Sequence, residues 1–247
     1  MGRTVTFLLW CTILLPTFPP APAGALDIPL SLVQGRIAIL NAKEKLKSGG
    51  ADATDVVVWL VPLKGTPRPA ASPLQGRKLE QKNKRFIPHV MAVQVGTEVE
   101  FPNEDPFFHN VFSVFDGKRF DLGLYASGES RPVRFDRPGV SYLFCNIHPQ
   151  MSAFVVTVET PYFAVSARDG AYHIKNVPEG SYALHIWHER CDERQLEAQN
   201  RVVSIASPLA DLGTIRLDEA GYIPRAHKNK HGEDYEDQRG LPGYGRP

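Results

Sequence analysis

Cysteine is scarce in this sequence, and so are long apolar runs, charge of one sign and helical periodicity. Only 3 of the 247 residues are Cys. One of them, Cys11, lies in Val5 to Leu15 (VTFLLWCTILL), an apolar stretch too short to span a bilayer. Arg3 precedes it, and a proline-rich exit leads to Ala23-Gly24-Ala25, so residues 1–25 read as a secretory signal cut after Ala25, with Ala23 as the competing site. No later stretch is apolar enough to cross a membrane. Cleavage leaves Cys145 and Cys191, too few for a disulfide framework, although two cysteines in an oxidising compartment would by default form one bridge. The 28 Lys+Arg and 27 Asp+Glu nearly cancel, and loss of Arg3 leaves 27 against 27, which argues against a nucleic-acid partner. No stripe of period 3.6 runs for any length, which excludes a helical class. At 43% hydrophobic and 22% charged, the chain has the composition of one or two globular domains rather than of a fibrous or disordered protein.

What the sequence has instead is strand signal. LVQGRIAIL (32–40), DVVVWLVPL (55–63), HVMAVQV (89–95), EVEFP (98–102), NVFSVF (110–115), SYLFC (141–145) and AFVVTVE (153–159) are rich in β-branched and aromatic residues. A second set follows in YFAVSA (162–167), AYHI (171–174), SYALHIW (181–187) and RVVSIA (201–206), with Asp169-Gly170 and Pro178-Glu179-Gly180 as turns. The predicted class is all-β. Residues 64–85 combine proline, small residues and a basic run and are expected to form an exposed connection at a domain boundary. From Gly221 to residue 247 aliphatic side chains are few, and the expectation is a disordered tail in which His227 and His231 are solvated.

The informative stretch is Cys145-Asn146-Ile147-His148-Pro149-Gln150-Met151, which places a thiolate, an imidazole and a thioether within seven residues between two strands. A loop can wrap all three around one ion. Soft sulfur ligands with imidazole select copper or zinc over hard cations, and two His, one Cys and a weak Met make the trigonal blue-copper set. The second histidine is available upstream in Pro106-Phe107-Phe108-His109-Asn110-Val111-Phe112, at the start of a strand that a sandwich could bring beside the loop.

Residues 84–159, about a third of the chain, resemble a cupredoxin of the plastocyanin and amicyanin type. The likeness rests on the ordered series Phe86, Pro88, Val93, Gly96, Val99, Phe101, Asn103, His109-Asn110-Val111, Gly128-Glu129, Phe135, Pro138-Gly139, Tyr142 and the Cys-x2-His-x2-Met loop. The short loop is nearest to amicyanin, and Phe108 departs from the proline common before that histidine. The resemblance implies a Greek-key sandwich holding one type 1 copper ion, with His109, Cys145 and His148 as equatorial ligands and Met151 as the weak axial one. It implies a second-shell role for Asn110, which would stiffen the two ligand segments. His148 would lie at the surface in an apolar patch where a redox partner docks, a dehydrogenase, cytochrome or oxidase. The implied function is single-electron transfer in a bacterial periplasm, without catalysis. Phe107, Phe108, Phe144, Ile147 and Pro149 are candidates for an apolar wall, with core packing the better account of Phe144.

Residues 162–217 resemble a transthyretin-like or carboxypeptidase-regulatory sandwich, carried by the Asp-Gly hairpin and the Pro-x-Gly-x-Tyr turn. The two opening strands of such a module, LVQGRIAIL and DVVVWLVPL, stand before the cupredoxin-like segment, so residues 30–63 and 160–217 are expected to fold together around an insertion. Other readings remain. Copper could be carried or delivered without redox turnover. A Cys145–Cys191 disulfide would make a metal-free interaction protein. A nitrite-reductase-like enzyme would need a second copper, for which only His185, His188, His227 and His231 remain. His185-x2-His188-x2-Cys191 has soft-donor types too, but strand periodicity puts residues 185 and 188 on opposite faces. His89 reads as structural.

Overall fold

The computed structural model describes Gly2 and residues 29–67, 75–114, 117–224 and 227–235. The rest of the segment expected to be a secretory signal, residues 68–74 of the proline-rich connection and residues 236–247 of the expected tail lie outside the described residues. Two strands open the chain, β1 (Leu30–Leu40) and β2 (Val57–Pro62). Ten follow in one run: β3 (Arg77–Lys78), β4 (Glu80–Lys82), β5 (Arg85–Ile87), β6 (Val90–Gln94), β7 (Thr97–Pro102), β8 (His109–Ser113), β9 (Phe120–Tyr125), β10 (Ser130–Phe135), β11 (Gly139–Phe144) and β12 (Ser152–Val158). The chain then returns to the first pair with β13 (Phe163–Val165), β14 (Ala171–Pro178), β15 (Gly180–Trp187), the one-turn helix α1 (Glu193–Glu197), β16 (Arg201–Ile205) and β17 (Leu209–Asp218).

Four sheets stack in layers, with orders β14-β1-β17, β13-β2-β15-β16, β6-β12-β11-β8-β9 and β10-β7-β3. β1 runs antiparallel to β14 and parallel to β17, while β2 lies between β13 and β15 with Trp59 opposite Phe163 and His185. The side-chain period of two explains the stacking. Even positions of β2 and β15, such as Val58, Leu60, Leu184 and Ile186, face the β1 sheet and make the core of an outer sandwich with Val33, Ile37, Ile215 and Leu217. Odd positions Val57, Trp59 and Trp187 face the other way, onto Val90, Ala92, Phe154, Val156 and Val158 of β6 and β12. Odd positions of β6, β11 and β12 (Val93, Leu143, Ala153, Val155) then meet Val99, Phe101, Val133 and Phe135 in the core of an inner sandwich. β2, β6 and β12 are thus covered on both faces, which is why VVVWLV and AFVVTV read as unbroken apolar runs rather than alternating ones. Each fully buried aliphatic or aromatic side chain contributes about 1.5–3 kcal/mol.

The middle apolar layer joins the two sandwiches, and a polar tie accompanies it: His89, at the entry to β6, holds Ser152 O at 3.2 Å through Nδ1 and Glu189 Oε2 at 3.0 Å through Nε2. The Asp169-Gly170 turn tucks under β1. Gly170 has φ +83°, and a Cβ there would stand 2.0 Å from Ile37 O, so no other residue fits.

The connection read into residues 64–85 ends earlier than expected. Residues 77–82 form β3 and β4, with Leu79 and Gln81 fully buried. Only these two side chains point inward among charged neighbours, which left the composition polar and hid the strands. The tail differs as well: residues 227–235 have their own turn bonds and pack on the inner sandwich.

Candidate metal centre

Two segments far apart in sequence converge at one end of the inner sandwich. The first is the turn that leads into β8. Asn103, almost fully buried, knits it: Oδ1 accepts the Asp105 N–H at 3.0 Å, and Nδ2 donates to Phe107 O at 2.8 Å and Tyr125 O at 3.2 Å. Asp105 is thereby turned inward. Its Oδ1 accepts the Asn83 N–H at 2.6 Å, and its Oδ2 accepts the Lys84 N–H at 2.9 Å and lies 2.8 Å from His109 Nε2. Asn83 and Lys84 form the tip of the β4–β5 hairpin with φ of 54° and 56°, the left-handed pair that a tight two-residue turn requires.

The second segment leaves β11 at Phe144. The Cys145 N–H donates to Met151 O at 3.2 Å and the Met151 N–H to His148 O at 3.0 Å, closing residues 145–151 into a compact loop. Cys145 Sγ then lies 3.7 Å from His109 Nδ1 and 3.5 Å from His148 Nδ1. The three donor atoms fall within 4.8 Å of one another, and this is the one such group of His, Cys, Asp or Glu among the described residues. Phe107 packs against both imidazoles, with ring centroids 5.2 and 5.7 Å away.

The donor set fits a soft metal. Trigonal ligands at ordinary metal–nitrogen and metal–sulfur lengths stand about 3.6 Å from one another, close to the spacings found between Cys145 and each ring. Both rings present Nδ1, and the Asp105 carboxylate on Nε2 fixes the tautomer of His109 so that its Nδ1 carries the lone pair. Burial lowers the pKa of both imidazoles, opposed at His109 by Asp105, and brings His148 to about 4 with help from His109 and Lys84. Both therefore present a neutral imidazole at physiological pH. Burial pushes the Cys145 thiol up, while backbone N–H groups of Asn110, Ile147 and His148 around the sulfur act the other way. Burial also works against the charge of Asp105, but the N–H groups of Lys84 and Asn83 and the His109 ring keep its carboxyl below the usual range.

Met151 is fully buried in the same apolar cluster as Cys145, at the closing end of the loop. Asn110 is buried beside His109. Its backbone N–H serves the Cys145 sulfur, whereas its side chain reaches Asp121 Oδ1 of β9 at 2.7 Å rather than the ligand loop. Of the wall candidates, Phe107 lies against the imidazoles and Ile147 packs on the inner core. Phe108 is 56% exposed, and Phe144 stacks on His227 and meets Phe112 at a tilt. His148 itself is 8% exposed, so only an edge of it meets solvent, beside exposed Pro149 and Gln150.

The other soft-donor residues go elsewhere. Cys145 and Cys191 are both free thiols, which removes the disulfide. His185 stacks on Trp59 at 5.3 Å. His188 is buried with Nε2 on Glu219 Oε1 at 2.9 Å, and Cys191 Sγ lies 3.7 Å from Asp218 O. His231 is exposed. Asp105 was not among the residues expected at the site. Its signal was the Asn-x-Asp turn ending four residues before His109, which places a carboxylate under the ring.

No family model matches the chain, and no curated relative does. Among solved structures, it is similar to a copper-containing nitrite reductase from Thermus scotoductus SA-01 at 28% identity and TM-score 0.33, covering 40% of this chain and 27% of that one. A purple cupredoxin from Nitrosopumilus maritimus aligns at 22% identity and TM-score 0.31 over 34% of this chain and 100% of its own. A reduced amicyanin variant aligns at 20% identity and TM-score 0.32 over 38% of this chain and 98% of its own.

Proposed function

We propose that the protein is an exported carrier of single electrons that holds one type 1 copper ion between His109, Cys145 and His148, with Met151 as a weak axial ligand. One observation carries the reading: a fully buried thiol stands 3.5 and 3.7 Å from two imidazole Nδ1 atoms, one of them locked by a buried carboxylate. Cys with two His is the donor set that suits copper or zinc, and a thioether at the loop's end favours copper. When bound, copper supplies a one-electron couple.

The residues do the rest. A carrier works best when its ligands need not move between redox states, and each is held from outside. Asp105 fixes His109, three backbone N–H groups hold the sulfur, and two backbone bonds close the loop. Phe107 and the surrounding core keep water from the donors. Solvent and a partner reach the centre at the edge of His148, beside exposed Pro149 and Gln150. We assign the docking of a dehydrogenase, cytochrome or oxidase to that edge, in the periplasm of a bacterium. We assign no catalytic step to the protein. The outer sandwich, formed from residues 30–63 and 160–217, serves as a scaffold or interaction surface.

The test is a visible spectrum of the purified protein after addition of Cu(II). An intense blue or purple sulfur-to-copper band is expected, absent in Cys145→Ser. A colourless wild-type protein would sink the reading. Rapid loss of Cu(I) to a chelator combined with slow redox cycling would favour copper delivery over electron transfer.

A further inference from the structure

The stretch after β17 is folded on its own account. Asn229 Oδ1 accepts the N–H groups of His231 and Glu233 at 2.9 and 3.0 Å, and the Gly232 N–H returns to Asn229 O at 3.0 Å. Lys228 pairs with Asp234 at 3.1 Å. This turn meets the inner sandwich through three side chains and one backbone N–H. Tyr235 Oη donates to Cys145 O at 2.7 Å and lies 3.1 Å from His227 Nδ1. The His227 ring stacks on Phe144, centroids 4.2 Å apart. The Lys230 N–H donates to Asn146 Oδ1 at 2.9 Å, and Lys230 Nζ stands 2.7 Å from Asp121 Oδ2, whose partner oxygen accepts from Asn110.

We propose that residues 227–235 are a built-in strap that positions the loop of residues 145–151 and slows loss of the metal. His227, Lys230 and Tyr235 act as its positioning residues. The inference rests on the copper reading above. The donors come from two segments, so an ion can leave only if the loop lifts away from His109. Residues 145 and 146 are the hinge end of that movement, and the strap holds both, one by its carbonyl and one by its side chain. His227 also lies within reach of the Pro149 carbonyl. The strap therefore holds the loop at its hinge and again at Pro149, while Pro149 and Gln150 keep exposed surface beside the edge of His148. Placing Phe144 under a stacked ring also anchors the residue before Cys145, where β11 ends.

Two full-length variants test this: Tyr235→Phe, which removes one hydroxyl, and the triple variant His227→Ala, Lys230→Ala, Tyr235→Phe. Each is loaded with Cu(I) and mixed with excess bicinchoninate, and hydrogen exchange is followed in the copper-free proteins. Loss of one hydrogen bond should speed transfer about five-fold, and loss of the hydroxyl, the stacked ring and the Lys230–Asp121 ion pair together more than about tenfold, with the Lys230 N–H to Asn146 left in place. Amides of residues 227–235 should be protected in the wild type and unprotected in the triple variant. Equal transfer rates in all three proteins, or a wild-type strap that exchanges freely, would overturn the inference. A wild type that takes up no copper defeats the electron-carrier reading and this inference together. A wild type that takes up copper no more tightly than the triple variant defeats this inference alone.

Discussion

Two stretches of the chain carry soft donors at the same three-residue spacing: Cys145, His148 and Met151, and His185, His188 and Cys191. They fold in opposite ways. The first is a loop between strands, closed by its own backbone bonds, and it turns its thiol and imidazole toward a second histidine from β8. The second begins inside β15, so His185 leaves through the face shared with Trp59, while His188 lies beyond the strand end among Glu219 and Arg190. Each stretch even has a buried His–carboxylate pair of nearly equal length close by, 2.8 Å for His109–Asp105 beside the first and 2.9 Å for His188–Glu219 at the second. At His109 the other nitrogen faces a sulfur. In the outer sandwich the other nitrogen of His188 has no partner among the described residues, and the pair ties chain ends together. Spacing supplies donor types; a second segment and inward-facing backbone amides make them a site.

The contrast can be broken most directly at the two thiols. Cys145→Ser should abolish the charge-transfer band, while Cys191→Ser should leave its position and intensity unchanged; a band that weakens with Cys191 would dissolve the distinction. Next in size are the two carboxylates. Glu219 accepts from the Lys43 N–H at 2.6 Å as well as from His188. Glu219→Ala should therefore cost about 3–5 kcal/mol of stability in denaturant unfolding, because it strands a buried histidine and Arg190, with copper affinity unaltered. Asp105→Ala should weaken copper binding about 10–100-fold in chelator competition, as removal of an outer-shell carboxylate does.

The smallest effect concerns His89 and Glu189, within the second stretch's neighbourhood. Burial works against the charge of His89, but the bond to Glu189 and its charge hold the folded pKa above the ordinary 6.5. Burial likewise opposes Glu189, which His89 and Arg190 nevertheless hold below 4.5. The raised histidine stabilises the fold fully below pH 6.5 and loses that contribution as pH rises through its folded value. The lowered carboxylate contributes above pH 4.5 and loses it as pH falls through its own. Their joint contribution peaks between these limits. With the His89 side chain 34% exposed, it should be about 0.5–1 kcal/mol. The copper-free protein should then exceed Glu189→Gln in melting temperature most at pH 5–6 and least at pH 8.5; a constant gap would show that the pair does not titrate.

Much of this was readable before any coordinates. Continuous runs such as VVVWLV announced strands covered on both faces, and the seven residues from Cys145 to Met151 announced the donor loop. The β3 and β4 strands were not legible, because Leu79 between them and Gln81 in β4 are the only inward side chains amid Lys and Glu. Asp105 was only half legible: the Asn-x-Asp turn sets it four residues before His109, but the N–H groups of Asn83 and Lys84 that turn it inward come from a hairpin 22 and 21 residues away that no local pattern joins to it. The strap escaped for a related reason. Its composition is that of a solvated tail, and its order comes from Asn229 turn bonds and from contacts with residues more than eighty positions earlier.

The pairing of β1 with β17 has a temporal side. Asn41 and Asp218 share a hydrogen bond across 177 positions, so the first strand synthesised waits for the last. Closing so long a gap is unfavourable in a flexible chain, with a cost that grows slowly with length. Once residues 77–158 have collapsed, Trp59 and Phe163 are neighbours in one sheet, and the gap behaves as a short one. Refolding should therefore proceed from the inside out, with the inner sandwich native before the layer that surrounds it has closed.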